Sequence, residues 1–81
     1  MGRSIIDILY WATDGLKKRF VYTGSNVVYL GKAKPGKSES DAFWQIMKFT
    51  YSGDNVTQID FADGNDNFDN IWDNRTGYSY S

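Results

Sequence analysis

Two stretches of the chain carry residue types at spacings associated with ligand chemistry. Gly31-Lys32-Ala33-Lys34-Pro35-Gly36-Lys37-Ser38 fits the phosphate-binding loop pattern of Gly, four residues, then Gly-Lys-Ser, with the apolar run Val27 to Leu30 ahead of it as a strand. In a working loop of this kind, backbone N–H groups and the lysine hold the phosphates at a helix N-terminus. An acidic residue on a second parallel strand then holds magnesium. Here Ser38 is followed by Glu39-Ser40-Asp41 and a β-like run from Phe43, so the stretch reads as a Pro-Gly turn in a solvated basic loop. The second stretch, Asp63 to Asn74, begins like a calcium loop, with oxygen-bearing Asp63, Asn65 and Asn67 at its first, third and fifth positions. The sixth position, where the loop needs glycine, is Phe68, and the twelfth, where it needs a bidentate glutamate, is Asn74. The expectation is an Asp63-Gly64 turn leading into a short helical turn capped by Asn67, with Phe68, Ile71 and Trp72 directed inward.

The remaining polar residues point to no reaction. Without Cys or His the chain has no thiolate nucleophile, imidazole base, zinc finger or disulfide framework. Asp60, Asp63, Asp66, Asp69 and Asp73 are the available acids, but no feature of the sequence confines two of them to a dry cleft where their pKa values would separate. Lys17-Lys18-Arg19 is a short basic cluster in a chain of net charge -1 and pI near 5.1. That balance counts against a dedicated nucleic-acid binder. Asn55-Val56-Thr57 and Asn74-Arg75-Thr76 fit the glycosylation acceptor pattern, as Asn-rich sequences readily do. The expectation is therefore a non-enzyme with no catalytic residues, no cofactor and no metal.

The elements that must position these residues are set by a repeat. Phe20-Val21-Tyr22-Thr23-Gly24-Ser25-Asn26-Val27 recurs as Phe49-Thr50-Tyr51-Ser52-Gly53-Asp54-Asn55-Val56. Each copy places Gly and a short polar residue between aromatic and β-branched runs, the composition of a two-residue hairpin. Gly24 and Gly53 would supply the positive φ that a type II′ turn needs at its first central position. In the first hairpin, simple pairing opposes Tyr22 to Val27, Val21 to Val28 and Phe20 to Tyr29, giving one aromatic and one aliphatic face. The second hairpin pairs Phe43 to Tyr51 with Val56 to Ala62, so that Thr50 meets Thr57 and Ile46 meets Phe61. Simple pairing there also sets Lys48 beside Ile59 and Met47 beside Asp60, a poor match that calls for a bulge near Lys48 or a shifted register. Trp44, Ile46, Ile59 and Phe61 are the expected central core, with Phe68 and Trp72 added from the C-terminal turn and Gly64 as a turn glycine.

Residues 1–16 support two periods. As a helix, Ser4 caps, Asp7 completes a capping box, Ile5, Ile8, Leu9 and Ala12 line one face, and Gly15 is the stop. As a strand, Ile6, Ile8, Tyr10 and Ala12 alternate against Asp7, and Asp14-Gly15 is a turn signal. The segment is assigned as an N-terminal helix or arm, and residues 17–81 as one small β domain. Its apolar run is much shorter than the roughly 20 residues that cross a bilayer. No signal peptide, transmembrane segment or membrane partner is expected. The tail Tyr78-Ser79-Tyr80-Ser81 alternates like an edge strand, able to pair with its own sheet or a neighbour's.

Fourteen aromatics among 81 residues exceed what so small a core must hold, and a chain of this length buries only about 60–65% of its unfolded surface. Both facts favour association, and Ile6, Tyr10, Trp11, Tyr22, Tyr29, Tyr78 and Tyr80 are the interface candidates.

Tyr29-Leu30-Gly31-Lys32-Ala33, Pro35-Gly36, Ser40-Asp41, Trp44-Gln45-Ile46, Tyr51-Ser52-Gly53, Phe61-Ala62-Asp63-Gly64, Phe68 to Arg75 and Tyr78-Ser79 together give a further lead. From Phe20 to Ser81 the chain resembles a group of small tailed-bacteriophage proteins. The resemblance implies a virion or tail-associated structural protein, located in the phage particle after synthesis in the host cytoplasm. It would be homo-oligomeric and bound to larger virion proteins. The alternatives are a module whose Trp11, Tyr22 and Tyr29 stack on glycans or single-stranded bases, and an inhibitor directed at a host protein. The expected fold is mainly β: two antiparallel hairpins in one sheet, a short N-terminal helix or arm, and a C-terminal helical turn.

Overall fold

A computed structural model describes residues 14–81, so the expectations for Ile6, Tyr10, Trp11 and the rest of residues 1–13 lie outside the described residues. The chain forms a mainly β fold in which strands β1 (Lys17–Thr23), β2 (Asn26–Ala33), β3 (Ala42–Ser52) and β4 (Asn55–Phe61) make an antiparallel meander in the order β1-β2-β3-β4. A two-residue strand, β5 (Asn70–Ile71), pairs with the start of β3 and runs into a 3-10 helix, Trp72–Gly77. The two glycine-tipped hairpins are therefore β1-β2 and β3-β4. Gly24 and Gly53 both have φ of 62°, and neither Ser25 nor Asp54 has positive φ, the combination that distinguishes type II′ from type I′.

The sequence repeat is also a repeat of strand irregularity. In the first hairpin Tyr22 pairs with Val27 but Val21 pairs with Tyr29, leaving Val28 as an extra residue. In the second Tyr51 pairs with Val56 but Thr50 pairs with Gln58, leaving Thr57 extra. Val28 and Thr57 occupy equivalent places in the two copies. Each bulge shifts every later pair by one residue and so moves one strand's side chains to the other face relative to simple pairing. Phe20 consequently faces Leu30 rather than Tyr29, and the expected division into an aromatic and an aliphatic face does not form. Phe61 faces Met47 rather than Ile46, Phe49 faces Ile59, and Lys48 faces Asp60. In each hairpin the bulge lies beside the turn, so the second is not near Lys48, and the register it shifts removes the mismatch of Lys48 with Ile59.

The alternation along β3 divides the apolar residues between two faces. Trp44 and Ile46 are fully buried with Ala33, Ala62 and Trp72, and Val21, Tyr29, Tyr78 and Tyr80 pack around them. Leu30, Met47 and Phe49 form a second buried group, edged by Tyr51 and Phe61. Two of the expected core residues are thus corrected. Ile59 is 48% exposed, because the Thr57 bulge turns it to the Met47 and Phe49 face on an outer strand. Phe68 is 40% exposed, because Asn70–Ile71 is drawn into a strand by β3 and the helical turn begins only at Trp72, without a side-chain cap. Asn67 serves as a donor to Asn65 Oδ1 (3.0 Å) instead of capping.

The first face is completed by the C-terminal residues. Trp72 lies against Trp44 with ring centroids 5.8 Å apart, over Gly31, where an added Cβ would come within 2.5 Å of the Trp72 ring. Trp44 Nε1 donates to Ser38 O (2.9 Å), satisfying the buried indole. The tail pairs with its own sheet: Phe61 N donates to Ser81 O (3.1 Å), Ser81 N to Phe61 O (3.2 Å) and Asp63 N to Ser79 O (2.7 Å).

Candidate functional site

The two motif-like stretches are built as turns. Lys34-Pro35-Gly36-Lys37 closes through Lys37 N to Lys34 O (3.4 Å), with Gly36 at φ 93°, as a turn with Pro second and Gly third requires. Ser38 to Asp41 closes a second turn through Asp41 N to Ser38 O (3.1 Å) and Ser38 N to Asp41 Oδ2 (2.9 Å). The chain then enters β3, so no helix N-terminus stands behind Lys37 and Ser38. In the stretch from Asp63, Asp63 (φ 60°) and Gly64 (φ 70°) form the turn, and Asn70–Ile71 pairs with the start of β3. Among the described residues no group of three or more acidic side chains converges as a metal site.

The turn at Pro35-Gly36 has a different consequence. It places Lys34 and Lys37 at the two ends of one tight reversal, beside a cleft of about 290 Å³ lined by Leu16, Lys34, Lys37, Phe43 and Phe68. Phe43 is 51% exposed and stands where the pairing of β3 with β5 is irregular, between Ala42 and Trp44. The Lys37 ammonium lies 4.2 Å from the Phe43 ring centroid, within cation–π range. Lys17 Nζ donates to Lys37 O and so anchors the turn to β1. On the face of Met47 and Phe49, Phe20, Tyr22, Val56 and Ile59 are exposed on the outer strands, with the Phe20 and Tyr22 rings 6.4 Å apart.

The charges around the base of the sheet are largely paired. Arg19 Nε meets Glu39 Oε2 at 2.5 Å, and Lys18 Nζ meets Asp14 Oδ1 at 2.5 Å. Hydrogen bonding from Arg19 holds the Glu39 carboxyl below its ordinary pKa, and Lys18 with the Leu16 amide does the same for Asp14. Lys34 and Lys37 have no carboxylate within ion-pair distance among the described residues.

Of the interface candidates within the described residues, Tyr22 is 58% exposed. Tyr29, Tyr78 and Tyr80 are half-buried against the Trp44 group. Tyr78 Oη accepts from Ile71 N (2.8 Å) and Tyr80 Oη donates to Arg75 O (2.6 Å). Burial raises the Tyr80 phenol pKa. Sequence reading did not single out Leu16, Phe43 or the Lys34 and Lys37 pair as a site. The available signal was a Lys-Pro-Gly-Lys turn a few residues ahead of a Phe-Trp pair at the start of a strand.

Comparison with protein-family models, curated proteins and solved structures returned no match. Among the described residues no helix is long and apolar enough to cross a membrane.

Proposed function

We propose that this chain is a structural component of a tailed-phage particle that acts by self-association and by docking to larger virion proteins. The observation that carries this reading is the set of large apolar residues left in water, Phe20, Tyr22, Val56 and Ile59 on one side of the sheet and Phe43 at the start of β3, all 40% exposed or more. The described C-terminal layer packs with the Trp44 group on the other side. Exposed large apolar residues gathered on one surface mark a contact area. The chain's resemblance to small tailed-phage proteins supplies the setting. Mass spectrometry of purified particles should find the chain, and light scattering of the isolated protein should give a mass above that of one 9.3 kDa chain. Absence from the particles would overturn the assignment.

A further inference from the structure

We infer that the cleft between Phe43 and Phe68 receives a large apolar side chain from an acidic segment of a partner protein, with the segment's carboxylates seated on Lys34 and Lys37. This names the partner chemistry of the docking surface described above and rests on that reading. The walls supplied by Leu16, Phe43 and Phe68 are apolar, and two aromatics standing 51% and 40% exposed on one cleft gain from burying a further apolar group between them. The two lysines make the rim selective. Their backbones are held together by the Pro35-Gly36 turn and tied to β1 through Lys17, while their ammonium groups have no carboxylate partner among the described residues. Asp66 and Asp69, the near neighbours of Phe68 in sequence, do not line the cleft. A cationic rim over an apolar floor fits an aromatic or large aliphatic residue flanked by Asp or Glu and disfavours a basic segment.

The test uses the full chain and a fluorescein-labelled heptapeptide bearing one phenylalanine flanked on each side by two glutamates, read by fluorescence anisotropy. Saturable binding is expected, with affinity falling about tenfold or more when the glutamates become glutamines, and falling again as salt is raised from about 0.05 to 0.5 M. Lys34→Glu with Lys37→Glu should abolish binding of this peptide and restore it for a lysine-flanked counterpart, while Phe43→Ala should weaken both. Of the three residues changed, Lys34 and Phe43 are exposed and Lys37 is half-buried, and circular dichroism checks that the variants keep their sheet. Equal affinity for the glutamine peptide, no saturation at millimolar peptide, or indifference to the double charge reversal would overturn the inference. A change in oligomeric mass on charge reversal without a change in peptide affinity would also overturn it, assigning the cleft to a second copy. The particle assignment fails separately: a chain present in virions that binds no acidic peptide leaves that assignment standing and removes this one, and peptide binding by a chain absent from virions does the reverse.

Discussion

The two faces of this sheet are made by the same strands and finished in different ways. On one, Trp44 and Ile46 are covered by Trp72, Tyr78 and Tyr80, and the polar atoms that come with those rings find partners in Ser38 O, Ile71 N and Arg75 O. On the other, Leu30, Met47 and Phe49 are buried, yet Phe20, Val56 and Ile59 on the same face remain 40% or more exposed. A face closed by its own chain is tuned for stability, and substitutions there should unfold the protein. A face that leaves aromatic edges in water should tolerate substitution and fail in contact instead.

Measured by chemical denaturation, that contrast should separate the variants widely. Trp72→Ala removes the ring that covers Trp44 and Gly31 and should cost about 3–5 kcal/mol. Gly31→Ala drives a methyl into the Trp72 ring and should cost about 1–3 kcal/mol through overpacking; the double variant Gly31→Ala with Trp72→Ala should lose less than the sum, since the clash has gone. Tyr80→Phe deletes the hydrogen bond to Arg75 O and should cost about 0.5–1.5 kcal/mol. The same residue gives an alkaline signature. Its folded pKa is raised, so its contribution is complete below the unfolded tyrosine value of about 10 and is lost as pH rises above it; Tyr80→Phe should flatten the fall in Tm there. At the acid end, Asp14 and Glu39 have lowered folded pKa values, so their contribution is present above the unfolded carboxylate range and disappears as pH falls through the folded values. Both are exposed enough for this loss of Tm to be small and to shrink further in salt. The smallest effect belongs to Tyr22→Ser on the other face, where the ring is 58% exposed, expected within about 0.5 kcal/mol of the parent. A large destabilisation there would erase the distinction between the faces.

The two hairpins show where legibility in the sequence stopped. The copies beginning at Phe20 and Phe49 declare their turns, because only the glycine can hold φ of 62° without strain. They do not declare the bulges: Val28 and Thr57 look like ordinary strand residues, and only the poor match of Lys48 with Ile59 hinted at a shift. That single inserted residue decided that Phe61 and Ile59 join Met47 and Phe49 instead of Trp44. The candidate cleft was less legible still, since Leu16, Phe43 and Phe68 are separated by more than twenty residues each and meet only after β3 and the Pro35-Gly36 turn are in place.

What the sequence by itself determined is local: glycine-tipped reversals, strands rich in aromatic and β-branched residues, the Asp63-Gly64 turn, and the absence of thiol and imidazole chemistry. Burial was decided by tertiary structure. Phe20 and Phe49 hold the same place in the repeat, yet Phe20 is 40% exposed and Phe49 8%, because β1 is an edge strand and β3 lies between β2 and β4. Propensity acts through a residue and its nearest neighbours along the chain, whereas exclusion of water depends on which strands arrive on either side, and that is a property of the whole sheet.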